Sequence, residues 1–106
     1  MSETVVTLDS SNFKSITGNG VCIVDFWAPW CGPCKSLGPI MDVLSSQLTG
    51  KATVAKLDID SEPQLAREYS IRSVPTILIM KDGDVVRQMV GTQTLQSILS
   101  EIRKLA

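Results

Sequence analysis

Val21-Cys22-Ile23-Val24-Asp25-Phe26-Trp27-Ala28 is a nearly continuous apolar and aromatic run, broken only by Asp25. A strand with one face in water alternates apolar and polar residues; an unbroken run is the pattern of a strand covered on both faces. Such a strand needs a layer of structure above and below it, which points to a sheet with helices on either side. After Pro29 the period changes. Leu37, Ile40, Met41, Leu44 and Leu48 fall at helical spacing, which predicts an amphipathic helix over Cys34 to Leu48 ending at Gly50. Gly38-Pro39 lies inside it. Proline removes a backbone hydrogen bond there and predicts a kink that neighbouring contacts must compensate.

The same reasoning extends along the chain. Val5-Val6-Thr7-Leu8 reads as a short strand. Asp9-Ser10-Ser11 offers N-caps to a short helix that turns Phe13 and Ile16 to one face and stops by Gly18. Thr53 to Ile59 reads as a strand. Ser61, with Gln64 three residues on and Pro63 between, starts a short helix carrying Leu65 and Tyr69. Thr76 to Met80 and Val85 to Val90 flank Lys81-Asp82-Gly83-Asp84, a hairpin signal, and Leu95, Ile98, Leu99 and Ile102 mark a last helix. Strands that alternate with helices imply crossovers and a mainly parallel sheet, here with an antiparallel hairpin at one edge. The expected class is α/β. With no repeat, low-complexity tract or linker, residues 1–106 read as a single domain, long enough to bury roughly two-thirds of its unfolded surface.

Composition now limits the chemistry. The chain has no histidine, which excludes imidazole-based triads, zinc sites built on imidazole and proton transfer by a histidine. Ten Lys plus Arg against eleven Asp plus Glu, with no basic run, argues against nucleic-acid binding. Met1-Ser2-Glu3-Thr4 lacks the cationic start and apolar stretch of a signal peptide, and no apolar run approaches the ~20 residues of a membrane span. The expectation is a soluble, cytoplasmic protein with no membrane association, in a compartment where thiols stay mostly reduced. Three cysteines, an odd number, argue against a purely structural disulfide framework.

The reactive residues are concentrated in Trp30-Cys31-Gly32-Pro33-Cys34, after the buried strand and at the start of the long helix. Two cysteines so spaced in a first helical turn can approach within the ~4.4–6.8 Å between Cα atoms that a disulfide needs. Unpaired N–H groups and the dipole at a helix start favour a thiolate at Cys31. Pro33 suits the first turn, where its missing N–H leaves nothing unpaired, and Gly32 keeps the approach to sulfur open. Three uses of the pair stand against one another. A zinc half-site would need a second ligand pair, and the chain offers only Cys22. A structural bridge would close a loop so small that it stabilises by only roughly 2 kcal/mol. A redox dithiol needs nothing more than the two thiols and the helix start.

The segment Asp25-Phe26-Trp27-Ala28-Pro29-Trp30-Cys31-Gly32-Pro33-Cys34-Lys35 resembles the active site of the thioredoxin family, close to its bacterial and plastid type. The similarity extends to Val54-Ala55-Lys56-Leu57-Asp58-Ile59-Asp60, to Ile71-Arg72-Ser73-Val74-Pro75-Thr76, and to Lys81-Asp82-Gly83 with Val90-Gly91, in the family's order and spacing. The resemblance implies a thioredoxin fold, a mixed five-stranded sheet flanked by four helices. It implies a protein-disulfide reductase in which Cys31 is an exposed attacking nucleophile and Cys34, less accessible, resolves the mixed disulfide. Gly32 and Pro33 form the active-site dipeptide.

Asp25, a carboxylate in a core strand, is expected to have a raised pKa. By resemblance it assists deprotonation of Cys34, and Lys56 is the charge that tunes it. By resemblance too, Pro75 is a cis-proline facing the cysteines, Val74 offers backbone to an extended substrate, and Trp30, Val74, Pro75 and Gly91 form an apolar docking surface around Cys31. Trp27 is expected to be structural, Cys22 an ordinary core thiol, and Met41, Met80 and Met89 filling. Ser73 and Met80 depart from residues common in the family. The implied partners are disulfide-containing proteins and a thioredoxin reductase, NADPH- or ferredoxin-dependent, acting on a monomer in the cytoplasm, or in the plastid stroma after removal of a transit peptide. No nucleotide-binding glycine motif is present, so no cofactor and no metal are expected. A non-catalytic docking module is the rival reading. Among redox relatives, strong oxidants and isomerases often carry a histidine between the two cysteines; Gly32-Pro33 there favours a reductant.

Overall fold

β2, Val21–Trp27, lies at the centre of a five-stranded sheet in this computed structural model, which describes residues 4–105. In chain order the elements are β1 (Val6–Thr7), α1 (Phe13–Thr17), β2, α2 (Gly32–Gln47), β3 (Thr53–Asp58), α3 (Pro63–Glu68), β4 (Thr76–Lys81), β5 (Asp84–Val90) and α4 (Leu95–Arg103). Across the sheet the order is β1-β3-β2-β4-β5. β1 and β2 both pair with β3 in parallel, whereas β4 runs antiparallel to β2 and to β5. The expected mainly parallel sheet is therefore half antiparallel.

Helix length explains the reversal. The 16 residues of α2 rise roughly 24 Å, enough to carry the chain back along β2 so that β3 starts from the same end. The six residues of α3 rise only roughly 9 Å, less than half the roughly 20 Å of a six-residue strand. The chain thus enters β4 near the end where β3 finished.

Alternation along β2 divides the interior into two cores. Ile23, with Val54, Ile77 and Ile79, meets Leu37, Met41 and Leu44 of α2 and Ile98 of α4. Cys22, Val24 and Phe26, with Leu57, Leu78 and Met80, meet Phe13 of α1, while Leu65 and Tyr69 from α3 and its end close the edge. Each large apolar side chain so buried contributes roughly 2 kcal/mol. The rings of Phe13 and Tyr69, 5.2 Å apart, join α1 to the end of α3.

Several helix ends differ from expectation. α2 begins at Gly32, before Cys34, because Pro33 fits the first turn, and it runs unbroken across Gly38-Pro39. The N-cap of α1 is Asn12 with no side-chain cap bond. Asp9 instead accepts from the Ser11 and Asn12 N–H groups and the Ser11 hydroxyl, fixing the turn ahead of the helix. Ser61 does not cap α3 either. Its hydroxyl donates to Asp58 Oδ2 at 3.2 Å and leaves Glu62 at the N-cap.

The β4–β5 hairpin turns at Asp82 and Gly83, with φ of 50° and 91°, the left-handed pair a two-residue turn requires. Gly83 N–H donates to Thr17 O and Gly20 N–H to Asp82 Oδ1, tying this turn to the loop before β2. Pairing between β4 and β5 shifts register at Ile79/Met80. No helix among the described residues is long and apolar enough to cross a membrane.

Candidate redox site

Where β2 ends, the chain turns sharply, with Cys31 N–H donating to Ala28 O at 3.1 Å. Cys31 is extended (φ −90°, ψ 109°) and is itself the N-cap of α2. Its sulfur accepts a hydrogen bond from Cys34 N–H at 3.1 Å, doing what a serine or aspartate oxygen does at other helix starts. The two cysteines are joined as a disulfide, their Cα atoms 5.3 Å apart. Pro33 lies in the first turn, and a Cβ added at Gly32 would meet nothing within 4 Å, so that side of the bridge is open.

The bridge rests on Ala28, with Trp27, Ile59 and Val74 against it. This changes one expectation. Cys31 and Cys34 are 4% and 5% exposed, so in the oxidised form both residues are buried and Cys31 is not an exposed member of the pair. The bond draws both into the same shielded niche. What distinguishes them is the N-cap position of Cys31, where an amide N–H and the helix dipole converge on its sulfur.

Val74–Pro75 is a cis peptide, Pro75 is buried, and Val74 lies against the cysteine pair. Gly91, with φ of 88°, donates its N–H to Pro75 O at 2.9 Å, which fixes the end of β5 beside this loop. Trp30 stands outside the cluster and is 68% exposed, which rejects a place in the core. Its indole Nε1 donates to Asp60 Oδ2 at 3.1 Å. Asp60 was not singled out from the sequence. The signal lay in strand register: Trp27 pairs with Asp58, so the segments leaving β2 and β3 emerge side by side.

Asp25 is buried on the α2 face of β2, and its Oδ1 has no hydrogen-bond partner among the described residues. Parallel pairing sets Lys56 beside it on β3. Loss of hydration raises the Asp25 pKa to about 7, and the Lys56 ammonium acts in the opposite direction. A cavity of about 190 Å³ is lined by Asp25, Lys56, Cys34, Lys35, Gly38 and Trp27, so the carboxyl and the inner cysteine face a common space. Lys56, half-buried in the middle of its strand, is not a solvated strand end. Cys22 lies on the opposite face as a free, buried thiol whose pKa desolvation pushes up to about 12.

The thioredoxin family profile matches residues 4–104. The chain belongs to the thioredoxin family. It is 40% identical to a thioredoxin of Staphylococcus saprophyticus over 100 residues, 94% of this chain and 96% of that one. A Staphylococcus aureus thioredoxin is 39% identical over the same coverage. Among solved structures, the thioredoxin of Malassezia sympodialis superposes with a TM-score of 0.86 at 34% identity, covering 94% of this chain and 89% of that one. The five-stranded mixed sheet with four helices is the thioredoxin fold. The helix-capping pair of this thioredoxin-family chain is placed for thiol–disulfide exchange.

Proposed function

We propose that the chain reduces disulfide bonds in other proteins through reversible oxidation of Cys31 and Cys34. The observation that carries this is the Cys31–Cys34 bridge at the start of α2 in a thioredoxin-family fold. It is a thiol–disulfide oxidoreductase, a protein-disulfide reductase that a reductase returns to the dithiol form.

In the reduced protein, Cys31 attacks as the thiolate, stabilised by the Cys34 N–H and the helix start. One substrate sulfur leaves as a thiol and the other stays bonded to Cys31. Cys34 then loses its proton, attacks Cys31 Sγ and releases the second substrate thiol. Two electrons pass from the dithiol to the substrate, and Cys31–Cys34 ends oxidised. Asp25 is the base for Cys34, supported by the cavity they share and by its titration near neutrality; Lys56 sets the balance between its two forms. Trp30, Val74, Pro75 and Gly91 receive the substrate, with the Val74 backbone pairing an extended segment, and Gly32 and Pro33 leave the approach clear. Residues 1–106 act as one domain, monomeric and cytoplasmic or stromal, served by an NADPH- or ferredoxin-dependent reductase.

Insulin reduction with dithiothreitol as electron donor tests this. The wild type accelerates precipitation of the insulin B chain, and Cys31→Ser falls to the uncatalysed rate. A wild type without activity that still captures partner proteins would replace the reductase by a docking module.

A further inference from the structure

Asp25 is covered by α2 where that helix is thinnest. Two cavities, of about 210 and about 190 Å³, flank the carboxyl, and Asp25, Gly38 and Lys56 line both. One reaches Cys34 and Lys35; the other reaches Pro39, Met41, Asp42 and Val5. Gly38 sits in the helix interior, where glycine is unfavourable relative to alanine. Beyond its two chain neighbours no close approach calls for it, and the one local reason for glycine is Pro39, which crowds a Cβ on the helical residue before it. A Cβ built at Gly38 would meet nothing within 4 Å, and its φ is not in the left-handed region. The missing side chain leaves open space beside a buried carboxylate oxygen that has no protein partner among the described residues.

We propose that Gly38 is an aperture through which solvent water reaches Asp25 and carries its proton to and from bulk. The space suffices, since a water occupies roughly 30 Å³ of the liquid, and although the walls are mostly apolar, the Asp25 carboxyl and the Lys56 ammonium offer a water polar partners. The charged and titratable groups facing the site are Lys56 from β3, and Cys34, Lys35 and Asp42 from α2; the β4 neighbour of Asp25 is apolar Ile77.

The inference rests on Asp25 as the base for Cys34. When Cys34 sulfur attacks Cys31 Sγ, its proton passes to the Asp25 carboxylate, and the substrate thiolate is protonated by solvent. Asp25 must then return its proton to water before the next cycle, and that water lies past Gly38. Gly38 is thus a positioning residue for solvent and touches no reacting sulfur.

The test is the multiple-turnover rate of disulfide-peptide reduction with excess dithiothreitol as electron donor, followed across the pH range around neutrality, so that Asp25 must shed its proton in every cycle. Wild type, Gly38→Ala, Gly38→Val, Asp25→Asn and the Asp25→Asn/Gly38→Val double variant are compared. Gly38→Val is expected to slow the reaction about fivefold near neutral pH, a small part of what a positioned acid–base group contributes. Gly38→Ala, the smaller addition, should fall between and guard against misfolding. Gly38→Val should add nothing once Asp25 is Asn. Equal slowing in both backgrounds marks a purely structural effect and overturns the aperture. A wild-type profile for both glycine variants beside a slow Asp25→Asn overturns it too, and leaves the base standing. An Asp25→Asn rate equal to wild type removes the base, and the aperture with it.

Discussion

Cys22 and Asp25 lie three residues apart on one strand, both buried, both ionisable, on opposite faces of the sheet. Desolvation raises both pKa values, the thiol to about 12 and the carboxyl to about 7. The consequences differ. A thiol pushed upward stays neutral at physiological pH, so Cys22 is held at no electrostatic cost and is chemically silent. A carboxyl pushed to neutrality is divided between two forms and can exchange a proton. The surroundings complete the contrast. Around Cys22 the α1 and α3 side is closed by Val24, Phe26, Leu78 and Met80, whereas Asp25 has an ammonium beside it and open space on two sides. Burial alone makes a group inert; burial with a compensating charge and a route to solvent makes it responsive.

The largest expected effect breaks the contrast at Asp25. Its ordinary pKa of 3.8 becomes about 7 in the folded chain, so folding favours the protonated form. The Asp25 contribution to stability should be fully present below about pH 4, fall as pH rises towards 7, and be lower by up to about 4 kcal/mol above that, a slope read as the difference between wild type and Asp25→Asn. Asp25→Asn, which cannot ionise, should lack this slope and be the more stable protein at pH 8 while reducing disulfides more slowly at neutral pH. Urea midpoints across the range decide the matter; a flat difference contradicts the assignment.

A smaller effect is expected on the closed face. Cys22→Ser buries a hydroxyl among apolar side chains and should cost about 1–3 kcal/mol, with insulin reduction unchanged. Native protein treated with iodoacetamide after reduction should leave Cys22 unlabelled, and labelling at the rate of an exposed thiol would end the view of it as inert. The smallest effect sharpens the contrast instead. Lys56→Met removes the charge that holds Asp25 down, so its titration, read by carboxyl NMR, should move upward by about one unit or less. A downward movement would mean Lys56 acts some other way.

Much of this was visible in the residues. The apolar run placed β2 within a residue of its end and helical spacing placed α2, because an unbroken run of strand length fits burial on both faces and a 3.6-residue period marks one covered helix face. Cys31-Gly32-Pro33-Cys34 at a strand-to-helix junction announced the redox pair. The direction of β4 was not legible, since it depends on how far α3 carries the chain, and the helix predicted there was too weakly patterned to fix its length. Ser61 does not cap because the helix starts at Pro63 with Glu62 as its N-cap, one residue later than the spacing suggested, and the Ser61 hydroxyl turns to Asp58. The Trp30–Asp60 contact needs the register of two strands, and the equal shielding of Cys31 and Cys34 needs Val74, forty residues away. The cis form of Val74–Pro75 followed from family resemblance and from nothing in composition.

The register shift between β4 and β5 bears on how copies of the chain meet. β5 is an outer strand of the sheet, long, with Val85 and Val90 exposed, the kind of border onto which another chain could add a strand. Opposite Ile79 and Met80 stand Arg87 and Val85, so Val86 is left over, and the Arg87 guanidinium donates to the Val86 carbonyl at 2.7 Å while also reaching Glu101. The extra residue bends the ribbon, and the arginine occupies the carbonyl oxygen of that residue. A strand arriving along this border meets a bend at Val86 and one carbonyl already engaged.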